Sequence, residues 1–287
     1  MGAVRIYHPG PPLDDFVACF WSWSGDKQPA AYERSLPSGT LELVVNLEDD
    51  RLHLYGADGP ATAAPVLPGA IVCGAHAGSF VIGAPPRRAI GVHFQPGGAA
   101  PFLGVPASDL QGRHAPIEAL WGTQGRTLRE RLLEQPTGAA QFDVLSAFLI
   151  ERTRPRARRD AAVRAALCAF EDPSLASVAE VNARVGRSAK RLISVFGDEV
   201  GLTPKAYWRV RRFQAALRAL PRSAGRGAAL AAELGYFDQA HLDREFRHFA
   251  GVSPRDYLVL ARNIERPHHL PLHGQKYPSA AGRDAAS

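Results

Sequence analysis

An α+β protein of two domains is what the sequence predicts, with a β-rich module closed by helices and then a module that is helical throughout. Three observations point there. Hydrophobic alternation of period two dominates the chain to about Phe94, and helical spacing takes over after Pro101. Charge divides near residue 155: residues 156–266 hold 20 Lys and Arg against 12 Asp and Glu, a net +8, whereas residues 1–155 are at −3. The helical part also repeats itself at a shift of fifty residues. With 46% hydrophobic and 22% charged residues over 287 positions, a chain disordered as a whole is excluded.

The β module is read from short runs punctuated by Gly and Pro. Leu41, Leu43, Val45 and Leu47 alternate with Glu42, Val44 and Asn46, and Glu48-Asp49-Asp50 turns the chain into Arg51–Tyr55. Further strands are predicted over Phe16–Trp23, Pro65–Cys73, Ser79–Ile82 and Ala89–Phe94, with loops at Pro85-Pro86 and Pro96-Gly97-Gly98. So many short strands suggest a sandwich or barrel. Leu128, Leu132 and Leu133, then Phe142, Leu145, Phe148 and Leu149, mark two amphipathic helices whose apolar stripe packs either on this module or on its twin in a homodimer. Residues 1–152 are thus one domain, the Arg-rich, Pro-broken 153–160 a linker, 161–264 the helical domain, and 265–287 a tail expected to fray.

The repeat is the most specific feature. Ser188 and Asp238, Leu192 and Leu242, Phe196 and Phe246, Gly201 and Gly251, Thr203 and Ser253, Pro204 and Pro254, and Tyr207 and Tyr257 stand in register. Ser188 and Asp238 are N-cap types, Gly201 and Gly251 suit a helix stop, and Thr203-Pro204 and Ser253-Pro254 are a cap followed by Pro at the first helical position. Short helices ended by Gly186 and Gly235 precede the two repeated helices, which is the layout of a helix-turn-helix. The free face of the first repeated helix offers Lys190, Arg191 and Ser194; that of the second offers Gln239, His241, Asp243, Arg244 and Arg247. Arg reads guanine and Gln reads adenine by paired hydrogen bonds, while flanking cations satisfy phosphates, so the +8 segment is expected to bind double-stranded DNA rather than an anionic membrane.

The segment Gly235-Tyr-Phe-Asp-Gln-Ala-His-Leu-Asp-Arg-Glu-Phe-Arg-His-Phe-Ala-Gly-Val-Ser-Pro-Arg-Asp-Tyr257 resembles the C-terminal signature of AraC/XylS-type transcriptional regulators, and the repeat is similar to that family's paired helix-turn-helix domain. The resemblance implies a seven-helix DNA-binding domain in which a long helix, about Pro204–Leu220, spaces the two recognition helices. It places base contacts at Lys190, Ile193 and Ser194 in the first and at Gln239, Ala240, Asp243 and Arg244 in the second. Ser194 stands where the family usually has Arg, and Asn182 where it has a small residue, so the second unit is expected to carry more of the specificity. More weakly, Leu36–Leu47, Gly91–Ala100 and Leu103–Leu110 resemble a cupin-like sensor domain of unassigned ligand. That implies an N-terminal β-barrel followed by helices, a small-molecule effector, and RNA polymerase as a partner of a bacterial-type regulator. Trp21, Trp23, Glu42 and Asn46 are the candidate ligand contacts, since apolar walls with a few polar groups make a small-molecule pocket.

Other function classes find less support. His53, His76, His93 and His114 stand apart without the i, i+2 pairing of a cupin metal site; His269 and His273 lie in a Pro-rich tail; Cys19, Cys73 and Cys168 are dispersed. No metal, cofactor or catalytic residue is expected, and no phosphate loop or nucleophile elbow is present. The cysteine usage and the absence of an apolar leader or spanning run point to the cytoplasm. Two readings compete with an effector-controlled regulator: a small-molecule-modifying cupin-like enzyme fused to a DNA-binding domain, and a constitutive DNA-binding protein whose β half only dimerises.

Overall fold

A computed structural model describes residues 2–25, 32–59, 66–153, 159–172, 175, 177–223, 225–262 and 268–272. The N-terminal part runs β1 (Ala3–Tyr7), β2 (Val17–Ser24), β3 (Tyr32–Ser35), β4 (Glu42–Asn46), β5 (Arg51–Tyr55), β6 (Val66–Pro68), β7 (Ala70–Cys73), β8 (Phe80–Gly83), β9 (Arg88–Phe94), α1 (Ala100–Leu103), a 3-10 turn (Ala107–Leu110), β10 (His114–Pro116), α2 (Ile117–Leu133) and α3 (Gly138–Ile150). Then come α4 (Ala161–Phe170), α5 (Val178–Val185), α6 (Ala189–Val200), α7 (Pro204–Ala219), a 3-10 turn (Leu220–Arg222), α8 (Gly227–Glu233), α9 (Gln239–Ala250), α10 (Pro254–Ala261) and β11 (His269–Pro271). The helices α4 to α10 are the seven that the resemblance implies.

The strands form two antiparallel sheets, β1-β2-β9-β4-β7-β10 and β11-β3-β8-β5-β6, and these do not close into the expected barrel. The edges explain it. Three of the four edge strands, β6, β10 and β11, end on Pro68, Pro116 and Pro271, and a proline has no N–H to offer a further strand. The predicted single strand Pro65–Cys73 is also two strands in different sheets: the chain breaks at Gly69, whose N–H donates to Asp50 Oδ1, so that β6 pairs with β5 and β7 with β4.

Cross-strand register divides the six-stranded sheet by face. Phe20, Val92, Leu43 and Val72 line up on one side, all buried, and carry α2 and α3 through Leu128, Leu132, Phe142, Leu145 and Phe148. Of the two placements open for the helical stripe, it is thus the one within the chain that is occupied. Tyr7, Phe20 and Phe142 stack there with centroids 5.8–6.2 Å apart. On the other face Cys19, His93, Glu42, Cys73 and His114 form one row and Trp21, Gly91, Val44 and Ile71 the next, turned toward the five-stranded sheet.

The helical part does not stand apart from this sandwich. One continuous core runs from Leu41, Leu43 and Phe94 through Phe102 and Leu103 to Leu192, Phe196, Val200 and Tyr207. A second core, built on Phe213, Phe246, Phe249 and Tyr257, includes Leu36 of the β module and Leu270 of β11. The tail assignment is corrected accordingly: His269–Pro271 pairs antiparallel with β3, and His269 meets the buried Glu33 at 3.3 Å. The rest of the expected tail (265–267 and 273–287) and 154–158 of the expected linker lie outside the described residues.

Candidate DNA-binding surface

Each recognition helix is set by its cap. Ser188 accepts from the Arg191 N–H (3.3 Å) to open α6 and Asp238 from the His241 N–H (2.6 Å) to open α9. Such caps satisfy amide groups that a helix start leaves unpaired, each at about 1 kcal/mol. Both helices stop on a left-handed glycine, Gly201 (φ 82°) and Gly251 (φ 71°), a conformation costly for any residue with a Cβ. Leu192, Phe196 and Val200, and Leu242, Phe246 and Phe249, face inward at steps of three or four residues, which fixes the opposite faces outward.

Those faces hold the residues expected there. On α6, Lys190, Arg191, Ile193 and Ser194 are exposed; on α9, Gln239, Ala240, Arg244 and Arg247 are exposed and His241 and Asp243 half-buried. Three cations elsewhere in the domain are neutralised: Arg184 by Asp172 and Glu180, Arg211 by Glu171, and Arg209 by Glu245. Arg187, Lys190, Arg191, Arg244 and Arg247 make no ion pair among the described residues. His241 is less free: its ring lies edge-on to Tyr236 (5.3 Å), and its Nδ1 accepts from the Phe237 N–H at 3.4 Å.

Supports of the second unit escaped the sequence reading. Arg209 on α7 holds Glu245 on α9 with two hydrogen bonds of 3.0 and 2.7 Å. Burial alone would raise the Glu245 carboxyl, but these bonds outweigh it and hold it below its usual value. Arg212 donates to the Gly235 carbonyl (3.1 Å) and lies between the Trp208 and Tyr236 rings, 4.8 and 4.1 Å from their centroids. Both arginines sit one helix away from the face they brace, and their partners lie 36 and 23 residues on, so only the folded chain reveals the pairing.

The β module reaches the far end of both recognition helices. A Cβ on Gly201 would stand 3.1 Å from Ala75 Cβ and 3.2 Å from the Ala107 carbonyl, and one on Gly251 would stand 2.8 Å from the Arg34 guanidinium carbon. Ser108 donates to Asp198 (3.3 Å) and Gln214 to the Pro37 carbonyl (2.6 Å). An open depression of about 760 Å³ beside this seam is lined by His76, Ser79, Ser108, Asp109, Gln111 and Arg113.

Of the four candidate ligand contacts, Trp21, Trp23, Glu42 and Asn46 all lie on the face turned to the second sheet. Asn46 is committed elsewhere: its amide donates to the Arg51 carbonyl and accepts from the Glu48 and Asp49 N–H groups, which closes the β4–β5 turn. Trp23 is 4% exposed and packed under Gly25. Trp21 lies across Gly91, where a Cβ would collide with the indole at 2.5 Å. Glu42 faces His93 at 3.9 Å, and His93 in turn meets the Thr40 hydroxyl at 3.2 Å. Glu42 and His93 are each a third exposed although they stand mid-sheet.

Burial alone would raise the Glu42 carboxyl and lower the His93 imidazole, but each outweighs burial at the other, leaving Glu42 below 4.5 and His93 above 6.5. A raised His contributes its stability below its unfolded value and loses it as pH climbs through the folded one; a lowered Glu contributes above its unfolded value and loses it as pH falls. The pair is therefore expected to stabilise the β module most between about pH 4.5 and 6.5. The difference in unfolding temperature between the protein and His93→Gln, measured across pH 4–9, should be largest in that window. A difference that does not vary with pH would exclude it. Among the described residues no group of three His, Cys, Asp or Glu is placed to hold a metal, and no helix is long and apolar enough to cross a membrane.

Comparison with known families matches residues 181–259 to a helix-turn-helix domain and residues 5–116 to a domain of unknown function (DUF6597). A search of curated proteins finds no match. Among solved structures the chain is similar to ToxT from Vibrio cholerae (9% identity, 90% of this chain and 98% of that one, TM-score 0.39) and to ToxT from Vibrio cholerae O395 (8%, 92% and 99%, 0.40). A further match is ToxT bound to an unsaturated fatty acid (9%, 90% and 94%, 0.39). Both capped, glycine-stopped helices of the fifty-residue repeat fall inside the single helix-turn-helix match, so the C-terminal half is a helix-turn-helix domain in which that unit occurs twice.

Proposed function

We propose that α6 and α9 enter successive major-groove segments of one duplex, and that the β sandwich controls how they are presented. The observation that carries this is the placement of charge: Lys190, Arg191, Arg244 and Arg247 stand on the two outward faces without an ion pair among the described residues, whereas Arg184, Arg209 and Arg211 are held by carboxylates. Arg244 and Gln239 read base edges, Lys190 and Ser194 contribute at the first half-site with Ala240 and Asp243 setting the fit at the second, and Arg191, His241 and Arg247 meet phosphates. The protein acts in the cytoplasm on double-stranded DNA, with RNA polymerase as the downstream partner; it is a regulator rather than an enzyme, and a homodimer is its proposed assembly on paired sites.

Control follows from the seam. Gly201 and Gly251 lie seven residues beyond Ser194 and Arg244 on the same helical face, about 10 Å along each axis, and the β module stands against both. A duplex seated on those faces brings its phosphate backbone to the same place, so a docked sandwich opposes DNA. A small-molecule effector between the sheets, touching Trp21, Glu42 and His93, shifts that docking only by binding the two arrangements differently.

Selection of binding sequences from random duplexes by the full-length protein tests the reading. A two-part site, with two conserved blocks about one helical turn apart, is the expected product; no enrichment at all would sink it. On that site Gln214→Ala, which leaves the Pro37 carbonyl unpaired at the seam, is expected to bind several-fold tighter than the parent. Unchanged or weaker binding by Gln214→Ala would remove the docking argument while leaving DNA recognition in place.

A further inference from the structure

Phe237 is 92% exposed, the most open of the large apolar side chains among the described residues. It directly precedes the Asp238 cap of α9. At that position an apolar side chain ordinarily folds back onto the residue four places into the helix. Here that residue, Leu242, is already sealed at 1% exposure, and the preceding Tyr236, at 4%, does the packing. The ring of Phe237 is thus left projecting at the opening of the recognition helix, beside the exposed Gln239 and Ala240. The hydrogen bond between the Phe237 N–H and His241 Nδ1 ties its backbone to the first turn. Fifty residues earlier, at the matching place in the first unit, stands Arg187, also exposed. The two units therefore present different chemistry at the same point, a cation in one and an aromatic ring in the other.

Residues at the opening of a recognition helix are those that reach base edges, and the apolar feature of the major groove is the C5-methyl group of thymine. We propose that Phe237 packs against a thymine methyl in the second half-site and makes that unit select thymine there. The inference rests on the DNA-reading assignment of α9. It also separates the half-sites: at the matching place the first unit offers a cation, Arg187, to the phosphate backbone, and the second offers an apolar contact to a base.

The test uses full-length protein and the duplex obtained by selection, with uracil, which lacks the methyl, replacing each thymine of the second half-site in turn. One replacement is expected to weaken binding about fourfold, the scale of one buried methyl-sized group. Phe237→Ala is expected to bind the thymine duplex correspondingly less well and to be indifferent to that replacement, while Phe237→Leu keeps part of the discrimination. Equal binding of every uracil duplex by the parent protein would overturn the proposal. So would a Phe237→Ala variant that still distinguishes uracil from thymine, or one that binds normally yet loses transcriptional output, which would give the ring to RNA polymerase. Failure of the parent protein to bind any duplex would refute the DNA-reading assignment itself and, with it, this inference.

Discussion

Affinity for the selected duplex is expected to fall about 100-fold when monovalent salt rises from 50 to 200 mM. Arg187, Lys190, Arg191 and Arg247 are exposed on the recognition side without an ion pair among the described residues, which gives about four phosphate contacts. Each neutralised phosphate releases counterions, and the logarithm of the binding constant falls with the logarithm of salt at about 0.9 per contact, a slope near −3.6 for four. A fourfold rise in salt then costs roughly two orders of magnitude. Arg184, Arg209 and Arg211 are excluded because carboxylates already neutralise them in the free protein. A slope measured by fluorescence anisotropy that stays near −1 would mean that the recognition faces do not lie against phosphates.

The boundaries of the repeated helices were readable in the sequence because they depend on local features. Ser188, Asp238, Thr203 and Ser253 each cap the helix they precede, since a cap is an interaction over three residues. Gly201 and Gly251 stop their helices for an equally local reason. Strand partners are a different matter. Nothing near Gly69 announces that the residues on either side of it join opposite sheets, because that follows from Asp50 and from the pairing of β5 and β4. His93 was read as solitary, yet register sets it directly opposite Glu42, 51 positions earlier in the chain. Asn46, by contrast, was legible as a polar residue in an apolar strand and misassigned, because a turn that needs its amide competes with any ligand for it. The strand at His269–Pro271 sits in a stretch whose composition suggests fraying; its order comes from Glu33 and the open edge of β3.

Replacing Arg244 with Ala is expected to lower affinity for the selected duplex about 5- to 150-fold, the range that 1–3 kcal/mol of base discrimination supplies, and to relax selection at one base pair. Ser194→Ala, at the equivalent place on α6, is expected to change affinity by about fivefold or less, the scale of one neutral hydrogen bond of about 1 kcal/mol. Position, exposure and freedom from ion pairs are the same for the two residues, so the comparison isolates the side chain. Arg244 brings a planar fork matched to guanine O6 and N7, held on a helix that Arg209 braces through Glu245. The first unit, with Lys190, Arg191 and Ser194, has charge but no fork directed at a base from that position, and its part is to anchor the duplex. If Ser194→Ala proves the more damaging, sequence reading lies in α6, and the asymmetry between the half-sites runs the other way. Repeating the selection with Arg244→Ala separates the remaining possibilities: a base reader loses preference at one pair, whereas a phosphate contact weakens every sequence alike and makes the salt slope shallower by about one.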